Sequence, residues 1–374
     1  MNTVRLRMSL RAAALLAPLM IAIPALADEP LKIGALLPLT GPAAPIGIEE
    51  QQGVIFAVEQ ANAAGGIKGT KIEAIYEDSQ GKPDVGVLAF NKLVDLRNVP
   101  VIMTAFSSVS LAIAPLATRK KVLAINPGAQ SDKLGDASPY LFNTIPLVKD
   151  ETTGITNYLF KTLGKKTAAI IYENAAAGID GKEDFKKAFE ALGGKILAEE
   201  PVEFGQTNYR PTLLKAVSVK PDFIFLVITQ GHPTYVEQAS QIPGMPINAG
   251  TTFASPNCCY PGSAGWYQSS IQSGISPEIQ ANFVERFKTK DMPFFSREYF
   301  NSTNIAIKAA QHLVENGKPI TGENLRNAIL EIKSFGSSVT NINFNNSNTA
   351  VRGVEIQRYD ADARKIIAVV EDTK

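Results

Sequence analysis

"LKIGALLPL" (31–39), "GIEEQQGVIFAVEQANAAGG" (47–66) and "TKIEAIYED" (70–78) follow one another and set the architecture of the chain. The first is a short apolar run and the third alternates between apolar and polar residues, so both are typical of β-strands. The second has apolar residues at helical spacing and ends in Gly65 and Gly66, a helix stop signal. A helix between two such strands predicts parallel pairing, because parallel strands need a crossover connection.

The same alternation of strands and helices continues in two blocks of similar size. The first block runs to the strand "VLAIN" (122–126), and the second runs from the helix "TGITNYLFKTLG" (153–164) to the strand "PINAGTTF" (246–253). Long helices follow from residue 276, and "GVEIQRYDADARKIIAVVED" (353–372) alternates as a hairpin. Helices between strands favour a doubly wound sheet in each block. We therefore predict an α/β fold with two doubly wound parallel-sheet lobes.

The first 27 residues predict a secretory signal peptide. Arg5, Arg7 and Arg11 make a positive start, residues 12–23 form an apolar run, and Ala-Leu-Ala at 25–27 fits a cleavage site. The apolar run is too short to span a bilayer, and no later segment is long and apolar enough to do so. We therefore expect an exported, soluble protein, and a leader retained as a membrane anchor is the alternative.

The charge balance argues against two classes of partner. The chain has 37 basic and 36 acidic residues, and the predicted leader removes three arginines, which leaves a net charge of about −2. Such a chain lacks the basic surface that binds nucleic acid or an anionic membrane. The cysteines are the neighbours Cys258 and Cys259, which form either a strained local disulfide or two thiols in a loop.

Sequence motifs of enzymes are not evident. His232 and His312 have no Cys or His cluster at metal-ligand spacing around them. The phosphate loop, the glycine motif of dinucleotide binding and the G-x-S-x-G nucleophile elbow are missing too. We therefore expect no enzyme activity, no cofactor and no metal. An exported hydrolase is a distant alternative, with Ser107 as nucleophile and His232 as base.

Four segments carry a resemblance to a known family: "IGALLPLTGPAAPIG" (33–47), "NAAGGIKGTKIEAIYEDSQGKP" (62–83), "SSVSLAIAPLA" (107–117) and "INPGAQSDKL" (125–134). With these segments the chain resembles the type I periplasmic solute-binding proteins of ABC transporters, specifically the leucine/isoleucine/valine-binding family. The resemblance implies a monomeric periplasmic receptor. Its two lobes close on a small molecule, which is then handed to a membrane permease.

The family pattern also implies how the chain is divided. In this family the chain crosses between the lobes three times, so that three strands form the hinge. By this pattern the N-terminal lobe comprises residues 28–148 and 272–355. The C-terminal lobe comprises residues 149–271 and 356–374.

The resemblance places the carboxylate end of a ligand at two loops. In amino-acid binders of this family, hydroxyls and backbone N–H groups of the loops matching 107–110 and 128–131 hold the carboxylate, which points to Ser107, Ser108, Ala129 and Gln130. The physical argument agrees, because serines ahead of a helix bring free N–H groups and the positive end of the helix dipole to an anion. The alternative is that these serines only cap the helix.

The other half of the family's amino-acid site looks altered in this sequence. Thr252 stands where the family has the acid that pairs with the ligand ammonium, and Ile46 and Ala177 replace two aromatic walls. We expect the aromatic residues Phe106 and Phe253 to compensate for these walls, and packing of Phe253 in the lobe core is the alternative. The second lobe offers further candidates for binding, namely the polar residues Gln230 and Tyr235 and the aromatic residue Trp266. For Trp266 the alternative is packing in the lobe core.

These changes predict a receptor for a small carboxylate-bearing solute, an aromatic acid being one form of it. A standard amino-acid receptor is the first alternative, with Glu237 or Glu173 supplying the charge that pairs with the ammonium. A receptor for a neutral amide or urea-type molecule is the second, since the cleft is rich in hydroxyls and amides.

Overall fold

A computed structural model describes the protein over residues 30–251, 262–336, 341–344, 347–360 and 364–370. The predicted signal peptide, Thr252, Phe253 and the two cysteines lie outside these residues. None of the helices in the described ranges combines the length and the apolar character that a membrane span requires.

The described strands are, in chain order, β1 (Leu31–Leu37), β2 (Ile72–Asp78), β3 (Val101–Thr104), β4 (Leu123–Asn126), β5 (Leu141–Asn143), β6 (Thr167–Glu173), β7 (Lys195–Val202), β8 (Phe223–Val227), β9 (Ile247–Gly250), β10 (Tyr267–Ile271), β11 (Ser334–Gly336), β12 (Asn341–Asn343), β13 (Val354–Tyr359) and β14 (Arg364–Val370). The described α-helices are α1 (Ala44–Ala63), α2 (Pro83–Asn91), α3 (Ser107–Lys120), α4 (Val148–Asn157), α5 (Ala176–Ala191), α6 (Arg210–Ser218), α7 (His232–Ser240), α8 (Pro277–Phe287), α9 (Phe294–Glu315) and α10 (Gly322–Ile332).

The first sheet has the strand order β2-β1-β3-β4-β5, and all of its neighbours pair in parallel. Its residues are apolar on both faces because helices cover both sides. One face packs against α1, α9 and α10, and the other packs against α2 and α3. The long helices that follow residue 276 in the sequence therefore return to this first sheet.

The second sheet has the order β14-β13-β10-β9-β8-β6-β7. Strands β6 to β10 pair in parallel, and β13 and β14 add an antiparallel hairpin beside β10. Helices α4 and α5 cover one face, and α6 and α7 cover the other. The predicted α/β fold with two parallel-sheet lobes is confirmed, with the terminal hairpin as the antiparallel edge of the second sheet.

Within the described residues the chain connects the two sheets after β5, after β10 and before β13. Arg352, ahead of β13, forms a buried ion pair with Glu298 of α9, and these side chains are 1% and 0% exposed. The same guanidinium donates to the carbonyl oxygens of Thr144 (3.3 Å) and Gln272 (2.5 Å), which lie in the other two connections. We call these four residues the hinge clasp, because they join all three connections to α9.

The two lobes are in contact across the cleft between them. The rings of Phe106 in the first lobe and Phe204 in the second meet edge to face, with centroids 5.8 Å apart. Gly205 follows with a φ of +82°, and a Cβ atom there would come within 2.9 Å of Pro42 in the first lobe. Such a close approach needs glycine. The structure therefore represents the closed arrangement of the lobes.

Candidate functional site

A cavity lies between the lobes, at the carboxyl ends of β3, β4 and β8. Ligands of open parallel sheets bind outside the carboxyl ends of the strands. Its space is about 280 Å³, including what opens to solvent. The residues that line it are Ile46, Glu50, Phe106, Ser107, Gly128, Ala129, Ala177, Thr229 and Phe295.

Ser107 is the first residue of α3 and lies buried at the cavity wall. Its Oγ accepts hydrogen bonds from the backbone N–H groups of Gln130 (3.2 Å) and Ser131 (3.1 Å). Because its oxygen is used as an acceptor, the hydroxyl proton is free to be donated to a ligand. The first N–H groups of α3 have no partner within the helix, and the dipole makes this end positive. This corner of the cavity can therefore bind an anion.

The sequence analysis placed the serines of residues 107–110 ahead of the helix, and that detail is wrong. Helix α3 begins at Ser107, so Ser108 and Ser110 lie in its first turn. The residue before the helix is Phe106, whose φ of +61° turns the chain sharply out of β3. A positive φ is uncommon for a residue with a side chain and marks a position of strain. The hydroxyl of Ser110 is buried against Thr104, 3.1 Å away, and not in the cavity.

The loop after β4 forms the neighbouring wall. The Oδ1 atom of Asn126 accepts from the N–H groups of Ala129 (2.7 Å) and Gly128 (3.2 Å), which holds the loop in place. Gln130 has its backbone at Ser107, but its side chain points away and donates to the carbonyl of Pro146 (3.1 Å). Of the two loop residues that we predicted, Ala129 lines the cavity and Gln130 supports it.

Glu50 lines the cavity from α1 and is only 1% exposed. One carboxyl oxygen is hydrogen-bonded to the hydroxyl of Tyr299, and Oε2 is buried without a hydrogen-bond partner. Burial raises the pKa of Glu50 well above its ordinary value, and the nearby Glu49 adds to the shift. Sequence reasoning missed Glu50, although it lies one helical turn after the predicted site residue Ile46 and so shares its face of the helix.

The second lobe contributes Ala177, in the first turn of α5, and Thr229, just after β8. The Thr229 hydroxyl donates to Glu173 over 2.7 Å, and the backbone N–H of Thr229 donates to the same carboxyl over 3.3 Å. Glu173 is buried, and burial raises its pKa. Gln230 is buried and hydrogen-bonded to Glu173 too, so the residue at the cavity is its neighbour Thr229.

Tyr235 and Trp266 pack inside the second lobe. Tyr235 is fully buried, and its hydroxyl donates to Asn248 over 2.7 Å. Trp266 lies against Tyr235, with ring centroids 6.2 Å apart. The alternative that Trp266 packs in the core is therefore the correct one, and Tyr235 has a structural role because its one donor is already used.

Ser107 and His232 line different cavities. His232 lines a second cavity inside the C-terminal lobe, and its Nε2 lies 3.1 Å from the carbonyl oxygen of Ile228. Burial lowers its pKa to about 4, which keeps the imidazole neutral. The described residues contain no group of three or more His, Cys, Asp or Glu side chains placed to hold a metal ion.

A cluster of polar side chains joins the lobes at the rim of the cleft. Ser131 and Lys133 of the first lobe contact Asp180 of α5, with the Lys133 ammonium 3.3 Å from the carboxylate. Asp132, between them, is hydrogen-bonded to Asp184, one turn further along α5. Burial and this second carboxyl raise the pKa of Asp132 to about 7. Two carboxyl groups in contact favour a state in which they share a proton.

The sequence model of the periplasmic binding protein family matches residues 30–364 of this chain. The chain therefore belongs to this family, and the resemblance noted in the sequence is confirmed. Among curated relatives, it is 28% identical over 196 residues to the Leu/Ile/Val-binding protein homolog 3 of Brucella melitensis. It is 25% identical over 201 residues to the leucine-, isoleucine-, valine-, threonine- and alanine-binding protein of Pseudomonas aeruginosa. These matches cover 52–54% of this chain and 53–54% of the relatives, so the chain spans about half the length of the curated relatives it matches.

Solved structures of solute-binding proteins share the whole fold. One from Rhodopseudomonas palustris BisB5, in complex with 3,4-dihydroxybenzoic acid, has a TM-score of 0.83 at 22% identity and covers 93% of this chain and 99% of its own. Another from R. palustris, in complex with benzoate, has a TM-score of 0.81 at 20% identity, covering 91% and 96%. LivJ of Streptococcus pneumoniae, with isoleucine, has a TM-score of 0.77 at 20% identity, covering 91% and 99%.

Proposed function

We propose that this protein is the periplasmic solute-binding component of an ABC importer and that its ligand is a small carboxylic acid, most suitably an aromatic one. The observation that carries the proposal is the anion-binding corner at Ser107. There a free hydroxyl proton and the N-terminus of α3 meet the first turn of α5, where Ala177 lines the cavity. Two helix N-termini from opposite lobes stabilise a carboxylate without a cationic side chain.

The remaining walls favour an aromatic body over a charged ammonium group. Phe106 and Phe295 supply rings, and Ile46, Ala129 and Ala177 supply apolar surface. An α-amino acid would need an ionised acid beside its ammonium, because an unpaired buried charge is costly. Glu50 is the acid of the described lining, and its burial opposes ionisation. Relatives in fold were solved with benzoate and 3,4-dihydroxybenzoic acid, which fits this chemistry.

Binding would act through closure of the lobes. The ligand touches Ser107 in one lobe and Thr229 in the other, so it stabilises the closed arrangement over the open one. The lobes would be those expected from the sequence, residues 28–148 with 272–355 and residues 149–271 with 356–374. The closed monomer would then deliver its ligand to the membrane permease.

A thermal-shift screen followed by titration calorimetry tests this proposal. The panel contains benzoate, 3- and 4-hydroxybenzoate, propionate, leucine, valine and acetamide. A ligand that binds only the native state raises the melting temperature, so we expect shifts with the aromatic acids and none with leucine. A shift confined to acetamide would instead indicate an amide receptor.

A branched-chain amino-acid receptor is the second candidate, favoured by the names of the curated relatives. It requires leucine or valine to give the largest shift. It also requires that binding weakens at low pH, since the acid that pairs with the ammonium must be ionised.

A further inference from the structure

The protonation state of Glu50 follows from the single hydroxyl hydrogen of its neighbour Tyr299. The Tyr299 hydroxyl donates to the backbone carbonyl of Thr104 over 2.7 Å. A phenol has one hydrogen to donate, and with that hydrogen directed to Thr104 the Tyr299 oxygen can meet Glu50 only as an acceptor. Two acceptors repel each other unless one carries a hydrogen. Glu50 must therefore donate to Tyr299 and be a neutral carboxylic acid.

This leaves one buried atom of Glu50 without a hydrogen-bond partner. With the proton of Glu50 directed to Tyr299, Oε2 is a carbonyl-type acceptor, and no protein group donates to it. A buried acceptor without a donor costs about 1–3 kcal/mol. Glu50 lines the ligand cavity together with Ser107, so a bound molecule is in a position to supply the missing hydrogen bond.

We propose that the ligand is a hydroxylated carboxylic acid, with its carboxylate at Ser107 and a hydroxyl group that donates to Oε2 of Glu50. This inference rests on the proposed function and narrows its substrate class. A neutral Glu50 also avoids repulsion of the ligand carboxylate, which an ionised side chain in the same cavity would cause. Benzoate itself has no hydroxyl group and would leave the Glu50 oxygen unpaired.

The test compares benzoate with 3- and 4-hydroxybenzoate by calorimetry at pH 7, in the wild type and in two variants of Glu50. In the wild type we expect at least one hydroxybenzoate to bind about tenfold more tightly than benzoate, which is the value of one well-formed hydrogen bond in a closed site. Glu50→Gln keeps the arrangement, because its amide N–H₂ donates to Tyr299 and its amide oxygen replaces Oε2. We expect it to keep the preference.

Glu50→Met is the matched control, with similar length and no acceptor. This variant should bind the hydroxybenzoates and benzoate with about equal affinity. Because the two affinities are compared within one variant, a general loss of stability cancels in their ratio. Equal affinities for all three acids in the wild type, or an unchanged preference in Glu50→Met, would overturn the inference and leave the proposed function standing. If none of the acids binds to the wild type, the proposed function itself fails.

Discussion

Ser107 combines structural and binding roles in one hydroxyl group. Its oxygen accepts the N–H groups of Gln130 and Ser131, which ties the loop after β4 to the start of α3. Its proton is left for the ligand. Sequence reasoning could place Ser107 at the cavity because it directly follows a buried strand, where ligands of such sheets bind.

Replacement of Ser107 by alanine should weaken binding of the acid ligand about 10- to 100-fold, because a hydrogen bond to a charged group is worth about 1.5–3 kcal/mol. The dissociation constant measured by calorimetry checks this. Ser108→Ala is the matched control, since Ser108 lies one position further along α3 and does not line the cavity. Its affinity should stay within about twofold of the wild type, and equal losses in the two variants would contradict the role of Ser107.

Glu50, Phe295 and Thr229 line the cavity but were not predicted from the sequence, and each shows a limit of local sequence patterns. Glu50 was accessible in principle, since it repeats the position of Ile46 one turn later on α1. Phe295 reaches the cavity from the start of α9, far along the chain, and no local pattern around it differs from that of a core aromatic. Thr229 was missed by one position, because the end of strand β8 cannot be located to a single residue from periodicity.

At the scale of elements, the hinge clasp joins three connecting segments that have no sequence pattern in common. Arg352, Glu298, Thr144 and Gln272 come from four separate parts of the chain. Gln272 and Gly353 are also joined through the backbone, over 2.9 Å. The clasp therefore keeps the connections together while the lobes on either side move.

Arg352→Met should lower the free energy of unfolding by about 3–5 kcal/mol, because it leaves Glu298 buried and without its cation. Denaturation in guanidinium chloride measures the change. Arg286→Met removes an exposed ion pair with Glu59 and should leave stability nearly unchanged, as surface pairs contribute little. Adding Glu298→Met to Arg352→Met should recover part of the loss. Similar stabilities for Arg352→Met and Arg286→Met would contradict the stabilising role of the buried ion pair.

Phe204 closes the mouth of the cleft on Phe106, and its loss should act on the release of ligand. An aromatic pair of this geometry is worth about 0.5–1.5 kcal/mol, so Phe204→Ala should speed ligand dissociation about 2- to 10-fold. Association should change little, because the ligand first meets the open form. Stopped-flow kinetics separates the two rates, and a slower association with unchanged dissociation would show that Phe204 does not hold the lobes closed.

At the scale of the whole molecule, closure brings Asp132 of one lobe against Asp184 of the other. In the closed form the pKa of Asp132 is raised to about 7 by burial and by the second carboxyl. Lys149, which donates its backbone N–H to Asp132, opposes the shift. When the lobes separate, Asp184 moves away and the pKa returns toward its ordinary value. The closed form therefore binds more protons than the open form does.

It follows that closure, and with it ligand affinity, weakens as the pH rises between about 4 and 7 and levels off above that range. Asp184→Asn removes the like charge and should flatten this dependence. Calorimetry from pH 5 to 8 with one acid ligand, ionised throughout, measures both proteins. An affinity that rises with pH in the wild type, or a dependence unchanged in Asp184→Asn, would contradict this linkage.

The sequence by itself determined the alternation of strands and helices, the two parallel sheets and the family, because these depend on local periodicity and on short segments of fixed spacing. The family resemblance also pointed to Ile46, Ser107, Ala129 and Ala177, and Phe106 was predicted as an aromatic beside the serines; all five line the cavity. Only the tertiary structure decided the pairing of Glu50 with Tyr299, the hinge clasp and the contact of Phe106 with Phe204. In each of these the partners lie far apart in the chain, and their contact energies depend on burial that no local pattern encodes.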